Sequence, residues 1–381
     1  LVGSEMCIRD RDSAVVYGVL DNGLTYYIRH NEKPKGQADF YIAQKVGSIL
    51  EDEHQRGLAH FLEHMCFNGT TNYPGKGIIN WLESKGVKFG VNLNAYTSID
   101  ETVYNISNVP VASKAVQDSC LLILHDWACD LTLDPAEIDA ERPVIHNEWS
   151  QSMVGEMRLY EKLLPVIYPD NKYGYRLPIG TMDVVDNFPP QALIDYYHKW
   201  YRPDQQGIIV VGDIDPQYIE SKIKEMFGGI KMPENAAPRE YVSVEDTPGT
   251  IYAIGADPEV KAANVGLMFK SPALDLPREQ RNTNFYFMVN YPKVMITMMM
   301  NNRLADIAST PEAEFAGARI YCGNFLISKT MPALTLDVDP KGDDVIPAFT
   351  QAYRELLRAV RGGFTIGEYE GAKSEFLSRI E

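Results

Sequence analysis

"GLAHFLEHMCFNGT", residues 57 to 70, sets two histidines and a glutamate within five positions of an otherwise apolar run. Leu58, Phe61, Leu62 and Met65 fall at i, i+3, i+4 and i+7, the apolar stripe of a core-facing helix. On a helix, residues four apart share a face and residues three apart adjoin them. His60 and His64 can therefore offer two imidazoles to one ion, and Glu63 stands beside both, placed to hold and deprotonate an activated water. Polar side chains inside an apolar stripe are costly to bury unless paired or liganded. Two readings stand at this point: a metal site that carries its own general base, or polar residues that share a helix. If a metal is held, nitrogen-rich ligands and the need for a redox-inert Lewis acid in hydrolysis favour zinc over iron or magnesium.

A catalytic zinc takes a third protein ligand, and the candidate region is "AERPVIHNEWSQ", residues 140 to 151. Glu141 and Glu148 are seven positions apart, which on a helix brings them within about 20° of two full turns and onto one face. Ile138 and Ile145 lie close to that face, against full exposure. One acid suits a ligand and the other a support for a ligand or for the water; the spacing does not say which. His146 points roughly the other way and reads as structural. Cys66, about 200° round its helix from His64, faces away from the metal. Pro143, inside the same segment, is expected to kink or restart the helix.

Working outward, Asn22-Gly23 lies between two β-rich runs, a strong hairpin signal. "QADFYIAQKVGSIL" reads as a further strand, Asn68-Gly69 as a left-handed helix stop, and Ile78 to Ser84 as a short helix. Two strands follow in "KFGVNLNAYTSIDETVYNISNV". Val116, Cys120, Ile123, Leu124 and Trp127 mark the buried stripe of the next helix, and "DPAE" opens another with Asp134 as N-cap and Pro135 at the first position. "QQGIIVVGDID" is a buried strand and "PQYIESKIKEMF" a closing helix. The class is α+β, helices packed on one face of an antiparallel-rich sheet. Pro and Glu cluster in a linker over 233–248. Beyond it "NVGLMFKSPAL", a long helical stretch, "PALTLDVDP" and "AFTQAYRELLRAV" repeat the strand and helix theme without the histidines. The expected organisation is a metal-binding domain over 13–232, the linker, and a second, similar but inactive domain over 249–381 that is cut short.

The 381 residues carry 36 basic and 52 acidic side chains, a net charge of −16. That balance argues against nucleic acid or anionic membrane as a partner and fits a peptide or a basic segment better. The most apolar run, "VMITMMM" at 294–300, is far short of the roughly 18 residues of a membrane span. Five cysteines show no CxxC spacing and no disulfide framework. Residues 1–12, "LVGSEMCIRDRD", resemble a translated adaptor remnant and are set aside from fold reasoning. The chain stops at "GEYEGAKSEFLSRIE", a helix-like segment without a stop signal, so a fragment is expected.

The sequence resembles the pitrilysin/insulinase family of zinc peptidases, whose inverted HxxEH motif reverses the thermolysin order. The resemblance extends through "NLNAYTSIDETVYNIS", "AERPVIHNEW", "NKYGYRLPIGT" and "YYHKWYRPDQQGIIVVGDID", in family order across residues 13 to 230. It is nearest to bacterial members similar to the mitochondrial processing peptidase and to cell-envelope peptidases. It implies the metallohydrolase fold of the processing-peptidase type, zinc on His60, His64 and Glu148, Glu63 as general base, and Glu141 in a supporting role. It further implies that Asn94, Ala95 and Tyr96, in "NAYTS", contact an extended peptide added as a strand by main-chain hydrogen bonds. The implied activity is zinc-dependent endopeptidase hydrolysis, completed by a further half of the same protein, so that the chain alone binds zinc but cleaves poorly. A bacterial periplasmic or envelope location is implied by analogy. The competing function is a non-catalytic subunit of the same fold; such subunits typically lose motif residues, which are intact here. The S-ribosylhomocysteine lyase type also carries HxxEH, but on a much shorter chain with a cysteine ligand.

Overall fold

A computed structural model describes residues 12–271 and 283–380. Residues 1–11 of the adaptor-like segment lie outside the described residues. The chain divides into two compact units, Asp12–Val242 and the part from Ser243 onward.

In the first unit the Asn22-Gly23 turn joins β1 (Val15–Val19) to β2 (Thr25–His30), and β3 (Gln37–Gln44) follows. Next come α1 (Leu58–Met65), α2 (Gly77–Glu83), β4 (Leu93–Thr97), β5 (Thr102–Pro110), α3 (Lys114–Cys129) and α4 (Pro135–Ser152). The unit continues with α5 (Gly155–Ile167), α6 (Met182–Asn187), α7 (Pro190–Trp200), β6 (Gln206–Gly212) and α8 (Pro216–Phe227). The six strands form one sheet in the order β1-β2-β6-β3-β5-β4. Only the β2–β6 pair is parallel, so the sheet is antiparallel-rich as expected. Strict alternation of buried and half-buried residues along β3 and β6 places Phe40, Ile42, Ile208 and Val210 in the core.

Against that sheet α1 buries Leu58, Phe61, Leu62 and Met65. Trp127 of α3 is fully buried, and its indole N–H donates to the Cys66 carbonyl at 2.9 Å, which ties α3 to the end of α1. The α1 start is unusual. Gly57 occupies the cap position at φ +111°, which a residue with a Cβ rarely adopts; a Cβ there would also lie 2.9 Å from Val185 Cγ2. The first helical amides are held by Glu51, whose Oε1 accepts from Gly57 N at 3.1 Å and Ala59 N at 2.8 Å. Burial pushes the Glu51 carboxyl up to about 8 against the opposing pull of those amides.

Asp134 caps α4 by accepting from Ala136 N at 2.8 Å. The kink or restart expected at Pro143 does not divide α4, which runs from Pro135 to Ser152. Pro143 and Asp139, the residue whose carbonyl loses its partner, are both exposed, so water can satisfy that carbonyl and the proline is tolerated. Asn68-Gly69 does not stop α1 either: the helix ends at Met65 with Cys66 as cap, while Gly69 turns the following loop at φ +128°.

The second unit contains β7 (Val265–Lys270), α9 (Asn284–Ala308), β8 (Phe315–Phe325), β9 (Ser328–Pro340), α10 (Val345–Gly362) and α11 (Ile366–Ser378). Its sheet order, β7-β9-β8, is all antiparallel and repeats the β3-β5-β4 connectivity of the first unit. Met300, Leu304, Phe315, Ile320, Leu336 and Val338 are central to its core. Among the described residues no helix is long and apolar enough to cross a membrane.

Candidate metal centre

The two helices that carry the motif residues are positioned by apolar contacts that leave one polar edge on each. Ile138 and Ile145 are fully buried and fix the roll of α4, so that Glu141 and Glu148 face α1 together. His60 and Glu63 are each 9% exposed. Glu148 is more open than its neighbours Ile138 and Ile145 suggested, with 46% of its side chain exposed.

His60 Nε2 lies 3.5 Å from Glu148 Oε1, and His64 Nε2 lies 3.3 Å from Glu148 Oε2. One ligand atom from each of the three residues falls within 4.8 Å of the others. Donors at about 2.0–2.1 Å from a tetrahedral ion stand about 3.3–3.4 Å apart, so these two separations match tetrahedral edges. Two imidazoles and a carboxylate are also a donor set that zinc accepts. The residues present fit zinc.

Glu141 is placed differently. Its Oε1 is 2.8 Å from His64 Nδ1, the ring nitrogen turned away from Glu148, so it orients the imidazole and leaves Nε2 for an ion. Its other oxygen accepts from Asn68 Nδ2 at 2.5 Å, and Lys76, from the loop after α1, donates to the Asn68 side-chain oxygen. Burial opposes the Glu141 charge, yet His64 and Asn68 hold its carboxyl below the usual range. Contacts with His60 and then His64 hold Glu148 well below it. His60 has no such support: its Nδ1 is buried without a hydrogen-bond partner among the described residues. His146 sits apart, paired with Asp186 at 3.2 Å.

His64 is the group whose protonation the site controls. Burial works against its charged form, but Glu141 and Glu148 outweigh that and raise its pKa from 6.5 to about 9. The unfolded value is the lower one, so the metal-free fold is stabilised by the His64 charge below pH 6.5 and loses that contribution as pH rises through about 9. Metal binding runs the other way, because a proton must leave Nε2 before an ion can take it. Zinc affinity is therefore expected to strengthen about tenfold per pH unit from neutrality to the His64 pKa and then level off. Competition titrations with a chelating dye at a series of pH values measure this; a flat profile across that window would show that Glu141 and Glu148 do not raise the His64 pKa above neutrality.

β4 lies at the edge of the sheet, paired on one side with β5 through Asn94↔Asn105, Ala95↔Tyr104 and Tyr96↔Val103. Apart from a single bridge between Leu93 and Phe89, its other edge, from Asn94 to Thr97, is unpaired among the described residues. Asn94 and Ala95 are half-buried and the Tyr96 side chain is turned outward, half exposed. The strand runs next to α1, and Thr97 Oγ1 donates to Glu63 Oε2 at 2.5 Å. The structure thus brings all the expected site residues into one neighbourhood, Asn94 to Tyr96 on the strand and the rest on α1 and α4.

Residues 27–177 match the family described as insulinase (Peptidase family M16), and residues 187–376 one described as the Peptidase M16 inactive domain. A crystal structure of the first half of the periplasmic protease PqqL from Escherichia coli aligns with a TM-score of 0.81 at 30% identity, over 97% of this chain and 77% of that one. The chain belongs to the insulinase family of peptidases. Its curated relatives include the probable zinc protease PqqL of Escherichia coli strain K12, 31% identical over 372 residues. That match takes in 97% of this chain and 39% of the relative, so the chain spans about two fifths of the relative's length. Pitrilysin, 17% identical with a TM-score of 0.71 over 95% of this chain and 38% of that one, shares the fold.

Three supporting residues of this insulinase-family chain escape sequence reasoning. Asn68 reads as a helix stop, whereas it anchors Glu141. Lys76 and Glu51 carry no periodic pattern, since the first acts by one hydrogen bond to Asn68 and the second through backbone amides.

Proposed function

We propose that this chain is the zinc-binding catalytic part of a metalloendopeptidase that hydrolyses peptides or unfolded segments laid along β4 as an added strand. The observation that carries the reading is the convergence of His60, His64 and Glu148 at tetrahedral spacing, with Glu63 on the same helix beside an open strand edge. A zinc ion held there supplies Lewis-acid chemistry that polarises a peptide carbonyl and acidifies water. Glu63 takes a proton from the attacking water as its oxygen bonds to the carbonyl carbon, and returns it to the amine as the C–N bond breaks. Glu141 keeps the His64 ring oriented throughout. Asn94, Ala95 and Tyr96 hold the substrate backbone, an affinity with little dependence on side chains.

In this reading residues 13–232 are the catalytic domain, 233–248 the linker and 249–381 an inactive domain of similar architecture. Further chain of the kind that makes up the rest of the curated relative completes the substrate chamber, so the chain alone cleaves slowly. The relative's description as periplasmic supports a place in the bacterial cell envelope. The test is metal content and hydrolysis of an unstructured fluorogenic peptide after dialysis against trace chelator. Zinc near one per chain, with cleavage that stops on stripping and returns with zinc, is expected. A chain that retains no zinc would make His60 and His64 structural and the protein a binding subunit.

A further inference from the structure

Glu63 is buried, and among the described residues one side chain donates a hydrogen bond to it: Thr97, whose Oγ1 lies 2.5 Å from Oε2. A hydroxyl has a single proton to donate, so this contact occupies one carboxylate oxygen and leaves the other to accept a proton.

Thr97 is itself firmly placed. It is the last residue of β4 and pairs with Thr102 of β5, whose hydroxyl donates to the Val46 carbonyl at 2.9 Å. The turn beyond it closes with Ser98 N donating to Glu101 O at 2.7 Å. The Ser98 and Ile99 carbonyls accept from Ser48 N at 3.3 Å and Ile49 N at 2.9 Å. That approach is close enough that a Cβ on Gly47 would sit 2.4 Å from the Ser98 oxygen. The hairpin tip is thereby clamped to the segment that leads into α1, and a β-branched side chain such as threonine has little χ1 freedom of its own.

We propose that Thr97 is a positioning residue: it fixes the carboxylate of Glu63 and ties the proton-accepting group to the same strand on which the peptide is laid. The inference rests on the peptidase reading above and adds to it a mechanical link. A peptide added along β4 takes its height from Asn94, Ala95 and Tyr96, and the next residue of that strand sets the base. The scissile bond and the base then share one rigid element, the condition for holding a near-attack geometry.

The experiment compares the zinc-loaded chain with its Thr97→Val and Thr97→Ser variants in zinc content, KM and kcat, and pairs this with a cycle that needs no activity. In that cycle the metal-free parent, Thr97→Val, Glu63→Leu and the double variant are unfolded in urea. The expected result is non-additive stabilities, which report the contact directly. For the loaded proteins, Thr97→Val should keep its zinc and its KM while kcat falls about tenfold, the scale of one hydrogen bond to a charged group. Thr97→Ser, which retains the hydroxyl, should recover most of kcat. An unchanged kcat in Thr97→Val, or additive stabilities, overturns the inference and leaves the peptidase reading intact. A raised KM, or lost zinc that serine does not restore, makes Thr97 a substrate contact or a merely structural residue and overturns it as well. A parent that binds zinc but shows no zinc-dependent cleavage overturns the peptidase reading, and the inference falls with it.

Discussion

Replacing Glu63 with glutamine is expected to leave zinc bound and to lower peptide hydrolysis by about a hundredfold to ten-thousandfold, the range spanned by general acid–base catalysis. The amide is nearly isosteric with the carboxylate, and its oxygen can still accept from Thr97 Oγ1, so α1 and β4 should remain joined as they are in the parent. The ligand set of His60, His64 and Glu148 is untouched. What disappears is a group that can take a proton from water and hand it to the departing amine. Metal analysis and initial rates on the same fluorogenic peptide separate the two roles, since a ligand lost would show in the first and a base lost only in the second. Hydrolysis retained at the parental rate would sink the assignment of Glu63 as base.

The parts of the fold that were legible in the sequence are those where one face alone decides burial. Leu58, Phe61, Leu62 and Met65 declare α1 because every polar alternative on that stripe would be costly, and all four are buried. β6 is legible for the same reason, as a continuous Ile and Val run bounded by Gly. The helices α5, α6 and α7, over residues 155–200, are not picked out by the sequence pattern. In α5, Pro165 lies inside the helix and the described buried residues are only Gly155 and Leu164, while α6 is six residues long. β8 is also missed: its eleven residues include Gly317 and Gly323, and most of its middle is open to solvent, so the alternation that marks a half-buried strand is blurred. In the site, the motif gives the residues that bear chemistry, but the network that orients them passes through Asn68 and Lys76. A side chain that acts by one hydrogen bond to a residue distant in sequence leaves no periodic trace.

Glu148→Gln is expected to cost the chain its zinc, with metal content falling well below one per chain while the fold persists. Losing a partner that merely orients a ligand costs roughly ten- to a hundredfold in affinity, and losing a ligand with its charge should cost more. Persistence of the fold follows from where Glu148 sits: nearly half exposed on the outer part of α4, whereas the helix is held by the fully buried Ile138 and Ile145. The choice between the two acids is geometric. Glu141 lies at His64 Nδ1, and a ring cannot bring both its nitrogens to one ion, so a metal on Glu141 would have to abandon the Nε2 that faces Glu148 and His60. Glu148 instead bridges Nε2 of both histidines and, among the described residues, has no third partner to keep it there once those nitrogens lose their protons. Atomic emission on the dialysed variant, with circular dichroism to check folding, decides the matter. Zinc retained at the parental level would mean that the third ligand is another residue, and that the convergence of these three side chains reflects an ion-pair cluster of the metal-free state.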